Sequence, residues 1–524
     1  MAAAASVSSA QGRRTRSCSW RGASGCPRAL QTASTCTRPK SVAACGPRKL
    51  ALAPCGASRR RRPARRARST PAAPAVPAAR GSAAARGPRC SGRRPSPGGG
   101  ACSDEAETTR GRRDRRRHHR LRRSRLTADP TPLPTLRLQP GRHKRVRFGH
   151  PWVFSNEVVM DAAAKALPAG GLVRLEAAQG EFLGQATFNP HTLIAARVLT
   201  VEAAAAIDVE FFAARLSRAL ALRERLYPGG FYRLVHAEAD GLPGLIIDRF
   251  GDTLTIQLNT AGMERLRAPL LEALDRLMAP ATIVLRNDTP ARGLEGLPPA
   301  VETLRGAPAT PLPIDENGLR YFADLGGGQK TGWYYDQREN RALVAGLAAG
   351  ARVLDAYCYA GGFGLAAAVR GATAVTLLDR SEPALALAAQ AATANGVGDR
   401  CRFERAEVFE ALEAMDAAGT RFDIVVADPP AFVKSRKDLG AGVRGYRKLA
   451  RLAARLVTPG GFLFIASCSH HVEPAMFAEQ VAHGLDDTGR AARILRSVGA
   501  GCDHPVHPHL PESAYLKGQL LQLD

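Results

Sequence analysis

Two residues in this chain combine a reactive side chain with a setting that could use it. Cys468 follows the apolar run Gly461-Phe-Leu-Phe-Ile-Ala-Ser467, and Asp428 follows Asp423-Ile-Val-Val-Ala427 and precedes Pro429-Pro430. A thiol attacks as its thiolate, and at an ordinary pKa roughly 3% is ionised at pH 7, so neighbouring donors or cations decide its reactivity. A carboxylate at the carboxyl end of a strand, stiffened by two prolines, can hydrogen-bond an amino group or a protonated ring nitrogen. Each also has a plain reading, a buried inert thiol and a structural turn. Their occurrence in one ordered series is what makes them specific.

That series begins upstream. Val353-Leu-Asp355-Ala-Tyr357-Cys-Tyr-Ala-Gly361-Gly362-Phe363-Gly364 passes from an apolar run through a glycine-rich bend into an alanine-rich helical stretch. The unpaired N–H groups opening such a helix face a ligand. Asp379, at the end of Ala374–Leu378, stands where ribose hydroxyls are held in such sheets. Together these residues imply a nucleoside cofactor. The stretch Asp324–Arg341 is dense in donors, aromatics and glycines, beyond what packing requires.

The elements that must carry these residues alternate from Asp336 onward. Strands are expected at 353–356, 374–378, 401–404, 422–427 and 461–466, and helices at 363–370, 383–395, 408–415, 443–457 and 474–484. Strand–helix alternation predicts an α/β, Rossmann-like sheet of parallel strands covered on both faces. Before it, residues 136–200 show short strands with turn punctuation, which predicts a small β-barrel. Between them, an amphipathic helix at 207–226, a hairpin around Gly251-Asp252, a helix at 264–278 and a strand at 282–286 form an α+β linker module. A second hairpin turns at Asn317-Gly318.

Charge is distributed unevenly. Of 74 basic and 47 acidic side chains, 31 and 4 fall in residues 1–126, leaving 43 of each in the other 398. The folded body is therefore formally neutral, and nucleic-acid binding must be argued from local sites. The Ala/Arg/Pro-rich tail cannot bury enough apolar surface to order itself and is expected to be disordered. It reads as an RNA-binding arm, an organelle transit sequence or translated leader ahead of a misassigned start. Seven of eleven cysteines lie in it without C-x-x-C spacing; the four in the body suit a reducing, cytoplasmic setting. No apolar run is long enough to span a membrane, and prolines break the spacing of His504, His507 and His509, so no metal is expected.

The ordered motifs Lys330-Thr-Gly-x-Tyr-x-Asp-Gln-Arg338, Asp355–Gly364, Asp379, Asp428-Pro-Pro-x-Phe432 and Ser467-Cys-Ser469 resemble the RlmI-type class I S-adenosylmethionine (SAM)-dependent methyltransferases, which methylate C5 of a cytosine in 23S ribosomal RNA. The resemblance spans about residues 136–524 and includes Glu238-Ala-Asp-Gly-Leu-Pro-Gly244, Asp503-His-Pro505 and Tyr515-Leu-Lys-Gly518. It implies a disordered tail (1–134), a PUA-like RNA-binding domain (135–204), a linker domain (205–310) and a methyltransferase domain (311–524). It also implies that Asp355, Tyr357, Gly361, Gly362 and Phe363 wrap the methionine part of SAM and that Asp379 binds its ribose. Lys330, Tyr335, Asp336, Gln337 and Arg338 would close the pocket. Glu407 stands where relatives carry an aspartate facing adenine. Arg142, Lys144, Arg145, His150 and Trp152 would contact RNA by phosphate pairing and stacking.

In that reading Cys468 adds to cytosine C6 and Asp428 steadies charge around N3 and N4. A methyltransferase acting on an exocyclic purine amine, which needs no thiol, is the alternative. A nicotinamide-dependent oxidoreductase lacks support, because no full G-x-G-x-x-G follows Val353, and a pure RNA-binding scaffold would need neither cofactor crevice nor thiol. The RNA position, the proton-removing base and the oligomeric state stay open.

Overall fold

A computed structural model describes residues 132–328 and 331–524. Nearly all of the expected disordered tail, and Lys330, lie outside the described residues.

Strands Thr135–Arg137 (β1), Trp152–Phe154 (β2), Gly171–Glu176 (β3), Phe182–Phe188 (β4) and Ile194–Thr200 (β5) form one sheet in the order β1-β3-β4-β5-β2. Val153, Val173, Leu175, Ala186 and Phe188 fill its core. The basic stretch before Trp152 forms a short helix, His143–Arg147, whose buried face is Val146 alone.

The second sheet, in the order β10-β9-β8-β7-β6, joins Phe231–His236 (β6), Leu245–Phe250 (β7), Thr253–Leu258 (β8), Thr282–Asn287 (β9) and Ala300–Arg305 (β10). The hairpin β7–β8 falls where its Gly-Asp turn predicts. The edge strand β10 is exposed along most of its length, so no burial alternation marks it in the sequence. The helix expected at 264–278 is two, Ala261–Arg265 and Arg267–Met278. Thr260 caps the first, and Pro269, which has no N–H, lies in the first turn of the second.

Leu312–Glu316 (β11) and Leu319–Ala323 (β12) pair around Asn317-Gly318, where both residues take positive φ. The largest sheet contains Arg352–Ala356 (β13), Ala374–Asp379 (β14), Cys401–Arg405 (β15), Phe422–Ala427 (β16), Val457–Ser467 (β17), Ala492–Val498 (β18) and Lys517–Leu523 (β19). Its order is β15-β14-β13-β16-β17-β19-β18. The parallel alternation holds for β13 to β17. The last two strands correct it, since β19 runs antiparallel to both neighbours. Period-two burial serves both faces: Val353 and Val426 belong to one apolar core, Leu354 and Val425 to the other.

The linker module is tied to the loop between β18 and β19 by Arg223, on helix Val209–Leu226, with 0% exposure. Its guanidinium donates to both oxygens of Asp240 at 2.6 and 2.8 Å, to the Arg233 carbonyl and to the Asp503 carbonyl. Removing one partner of a buried pair strands the other's charge. Arg223→Ala is expected to cost about 3–5 kcal/mol, read as a lower denaturant midpoint.

Candidate active site

The carboxyl ends of β13, β14, β16 and β17 converge because the strands are hydrogen-bonded neighbours in register. A cavity of about 710 Å³ opens there. Nine of the residues singled out above line it: Asp336, Gln337, Tyr357, Gly362, Phe363, Asp379, Glu407, Asp428 and Cys468. Cys468 lies beside the Asp-Pro-Pro turn, with Sγ 4.0 Å from the Pro429 carbonyl oxygen. The two expected catalytic groups thus share one wall.

Each is held from behind. Gln337 Nε2 donates to Asp428 Oδ2 at 2.9 Å, and Asn340 fixes that amide by donating to Gln337 Oε1 at 2.6 Å. The loop after Cys468 is set by Ser469, whose hydroxyl accepts from Val433 N at 3.1 Å and pairs with Tyr446 Oη at 2.8 Å. Beneath it, Lys517 of β19 is 6% exposed and donates to the Ser469 and Val472 carbonyls at 2.7 and 2.6 Å. Burial pulls its ammonium below the ordinary lysine range, against the opposing pull of Cys468 and Glu473.

The bend between β13 and the following helix, Gly362–Val369, is strained. Tyr357 and Tyr359 take left-handed φ of +64° and +50°, costing on the order of 1 kcal/mol each. Asp379 helps fix it: its Oδ2 accepts from Tyr359 N at 3.0 Å while Oδ1 accepts from Ser381 N at 2.8 Å. Asp355 does not line the cavity; it supports the bend from below, accepting from Gly364 N at 2.7 Å. Burial first, then the charges of Asp428 and Asp379, raise its carboxyl to about 7.

Several expected contacts turn elsewhere. Tyr335 donates to the Arg249 carbonyl and packs on Phe250, and Arg338 donates to the Phe231 carbonyl and covers Tyr227. Both anchor the segment to the linker sheet, since positions 335 and 338 face away from 336 and 337. Gly361 shapes the bend without lining the cavity. Glu407 does line it, but its longer side chain lies 3.9 Å from Arg380. In the barrel, Arg142 and Lys144 are exposed, whereas Arg145 pairs with Glu157 and contacts His150. Trp152, half-buried, donates its indole N–H to Glu238 at 2.8 Å, which makes it a strut to the linker.

Sequence reading missed Trp333, Tyr334, Arg341, Phe409 and Lys434 on the cavity wall, although the aromatic density of 324–341 pointed to the first two. Burial first, then the charges of Tyr359, Asp336, Cys468 and Asp428, holds the Tyr334 phenol above its ordinary range, leaving it a donor. No group of metal ligands occurs among the described residues.

The S-adenosylmethionine-dependent methyltransferase family matches residues 295–522, and a PUA-like domain matches 136–201. Ribosomal RNA large subunit methyltransferase I from Shewanella denitrificans is 39% identical over 388 residues, 73% of this chain and 98% of the relative. The Klebsiella pneumoniae protein of that name is 38% identical over 395 residues, 74% of this chain and 97% of its own. The chain belongs to the ribosomal RNA large subunit methyltransferase I family. Its fold is also that of a SAM-dependent methyltransferase-like protein from Streptococcus mutans, with TM-score 0.63, 22% identity, and 74% and 100% of the two chains covered.

SAM is the family's cofactor, and the cavity suits it: Asp379 is oriented by two backbone donors, and aromatics line the walls. The raised Asp355 gives a pH test. Its folded pKa of about 7 exceeds the unfolded aspartate value of about 3.9, so the folded state holds the proton more tightly. Its contribution to stability is full below about pH 4, falls as pH rises to about 7, and is flat above. Asp355→Asn, which keeps an acceptor for Gly364 N, is expected to match wild type at about pH 4 and to exceed it in unfolding free energy at about pH 8. Parallel denaturant titrations at the two values read this difference.

Proposed function

We propose that the protein methylates C5 of a cytosine in RNA, with 23S ribosomal RNA as the substrate, through a covalent Cys468 adduct. The observation that carries this reading is that Cys468 Sγ, against the Pro429 carbonyl, and Asp428 line the same cofactor-sized cavity. A methyltransferase acting on an exocyclic amine needs the carboxylate but has no use for the thiol. The relatives' name supplies the ribosomal RNA.

Bound SAM supplies an electrophilic methyl group. Cytosine C5 is too weak a nucleophile to take it unaided, so the Cys468 thiolate first adds to C6, and the C5–C6 π electrons become available at C5. As the thiolate adds, negative charge develops on the ring at N3 and is neutralised by a proton taken up there from solvent; Asp428, oriented by Gln337, accepts hydrogen bonds from that N3–H and from the N4 amino group. C5 would then bond to the methyl carbon as the methyl–sulfur bond breaks and leaves its electron pair on sulfur; a base takes the C5 proton, the C–H electrons re-form the C5–C6 double bond, and the thiolate leaves C6. Attack above the ring plane requires an unstacked nucleotide.

With methyl-labelled SAM and a 23S RNA transcript, wild type is expected to label 5-methylcytidine after digestion of the RNA. Cys468→Ala is expected to reduce that label at least about 10³-fold, as for loss of a nucleophile. Label in a purine, or undiminished label in the variant, contradicts the reading and favours the exocyclic amine.

A further inference from the structure

The segment leaving the cavity wall after Phe432 reads Val433-Lys434-Ser-Arg436-Lys437-Asp438, and the helix Leu439–Leu456 follows with Arg444 in its second turn. Lys434, Arg436, Lys437 and Arg444 are all exposed. Among the described residues, none of the four has a carboxylate within ion-pair distance or a side-chain hydrogen bond. What sets the four apart is their clustering within residues 434–444, next to the cavity-lining Phe432, since Arg142, Arg218, Arg225, Arg370 and Arg496 are also exposed and without a carboxylate. Arg276, Arg305, Arg320, Arg405 and Arg493 each hold a carboxylate. The single acid within 434–444, Asp438, is taken by Ser435, accepting from its N and Oγ at 3.0 and 2.8 Å. Further along the helix Arg447 and Lys448 are neutralised by Asp487 and Glu413.

The backbone that carries the first three cations is packed against the helix that carries the fourth. A Cβ at Gly442 would lie 2.3 Å from Val433 Cγ2 and 2.8 Å from the Phe432 carbonyl, and one at Gly445 would lie 3.0 Å from the Phe432 ring. Glycine is a poor helix former, and its use here lets the helix press directly on the segment. Val433 N is bonded to Ser469, in the loop that carries Cys468. Lys434 itself lines the cavity, and the Arg444 guanidinium folds back to 3.7 Å from the position a Gly440 Cβ would take.

We infer that Lys434, Arg436, Lys437 and Arg444 form a phosphate-binding rim that seats the RNA strand on either side of the nucleotide entering the cavity. The inference rests on the reading of the protein as an RNA methyltransferase and names which surface holds the substrate. An unstacked nucleotide carries its two flanking phosphates toward the cavity, and unpaired cations beside it take them without sequence preference. The barrel cations Arg142 and Lys144 are fewer, their neighbours Arg145 and Arg147 being paired with Glu157 and Glu181.

The test compares full-length wild type with the triple variant Arg436→Gln/Lys437→Gln/Arg444→Gln and the barrel variant Arg142→Gln/Lys144→Gln on a 23S RNA transcript over a range of salt. The basic residues of 1–126 are common to all three and cancel. The rim variant is expected to raise KM for RNA about tenfold or more at moderate salt and to lower the slope of log KM against log salt by about 2, as for three lost phosphate contacts. Its kcat and its affinity for S-adenosylhomocysteine are expected to hold, and the barrel variant is expected to change less. An unchanged KM and slope, or a loss of kcat alone, overturns the rim. If wild type leaves the transcript unmethylated, the substrate reading fails separately. Salt-dependent binding of the same transcript then decides the rim, and equal slopes for wild type and variant overturn it.

Discussion

One buried carboxylate organises the wall that faces the reaction. Glu316, at the end of β11, accepts from Arg341 Nε and Nη2 at 2.7 and 2.8 Å and from the Trp333 indole at 3.0 Å, with the Arg338 guanidinium 3.5 Å away. Arg341 also donates to the Tyr334 carbonyl at 2.9 Å. Burial alone would pull the Arg341 guanidinium down, and Glu316 more than reverses that. A carboxylate so enclosed is tolerable only with its cations in place. The hairpin therefore dictates where residues 333–341 lie, and with them Tyr334, Asp336 and Gln337. Gln337 passes that order to Asp428.

The opposite wall is fixed by a different device. The antiparallel β19 slots between β17 and β18 and brings Lys517 level with Ser467. Its ammonium gathers the carbonyls of the loop that follows Cys468, and the Ser469 hydroxyl ties the same loop to Val433 and Tyr446. Cys468 and Asp428 thus reach the cavity from adjacent parallel strands, each braced by atoms from another part of the chain. Such bracing holds reacting groups to a fraction of an ångström, as oriented catalysis demands.

The catalytic half of the fold was legible because its signals are strong. Buried strands ending in Asp355, Asp379, Asp428 and Ser467-Cys468 are short apolar runs bounded by turn residues, and their order implies neighbouring strand ends. What escaped lacks such signals. Strand β18 is exposed over most of its length, and β19 gains its place only through partners distant in sequence. Site residues were legible by type rather than by facing. Neighbours in 335–338 divide between the cavity and the linker sheet, because a 3₁₀ turn feeding a helix sends successive side chains in different directions. The Trp152 indole could not be foreseen as a strut, because its acceptor, Glu238, lies 86 residues away.

The central claim is a covalent bond between Cys468 and a cytosine C6, and it can be caught directly. In RNA carrying 5-fluorocytidine, methylation leaves fluorine at C5 where a proton would depart, and fluorine cannot leave as a cation, so elimination of the thiol stops. Wild-type protein with SAM is expected to form a denaturation-resistant RNA adduct, and digestion should map it to the peptide containing Cys468. No adduct, or one that persists in Cys468→Ala, would contradict the account.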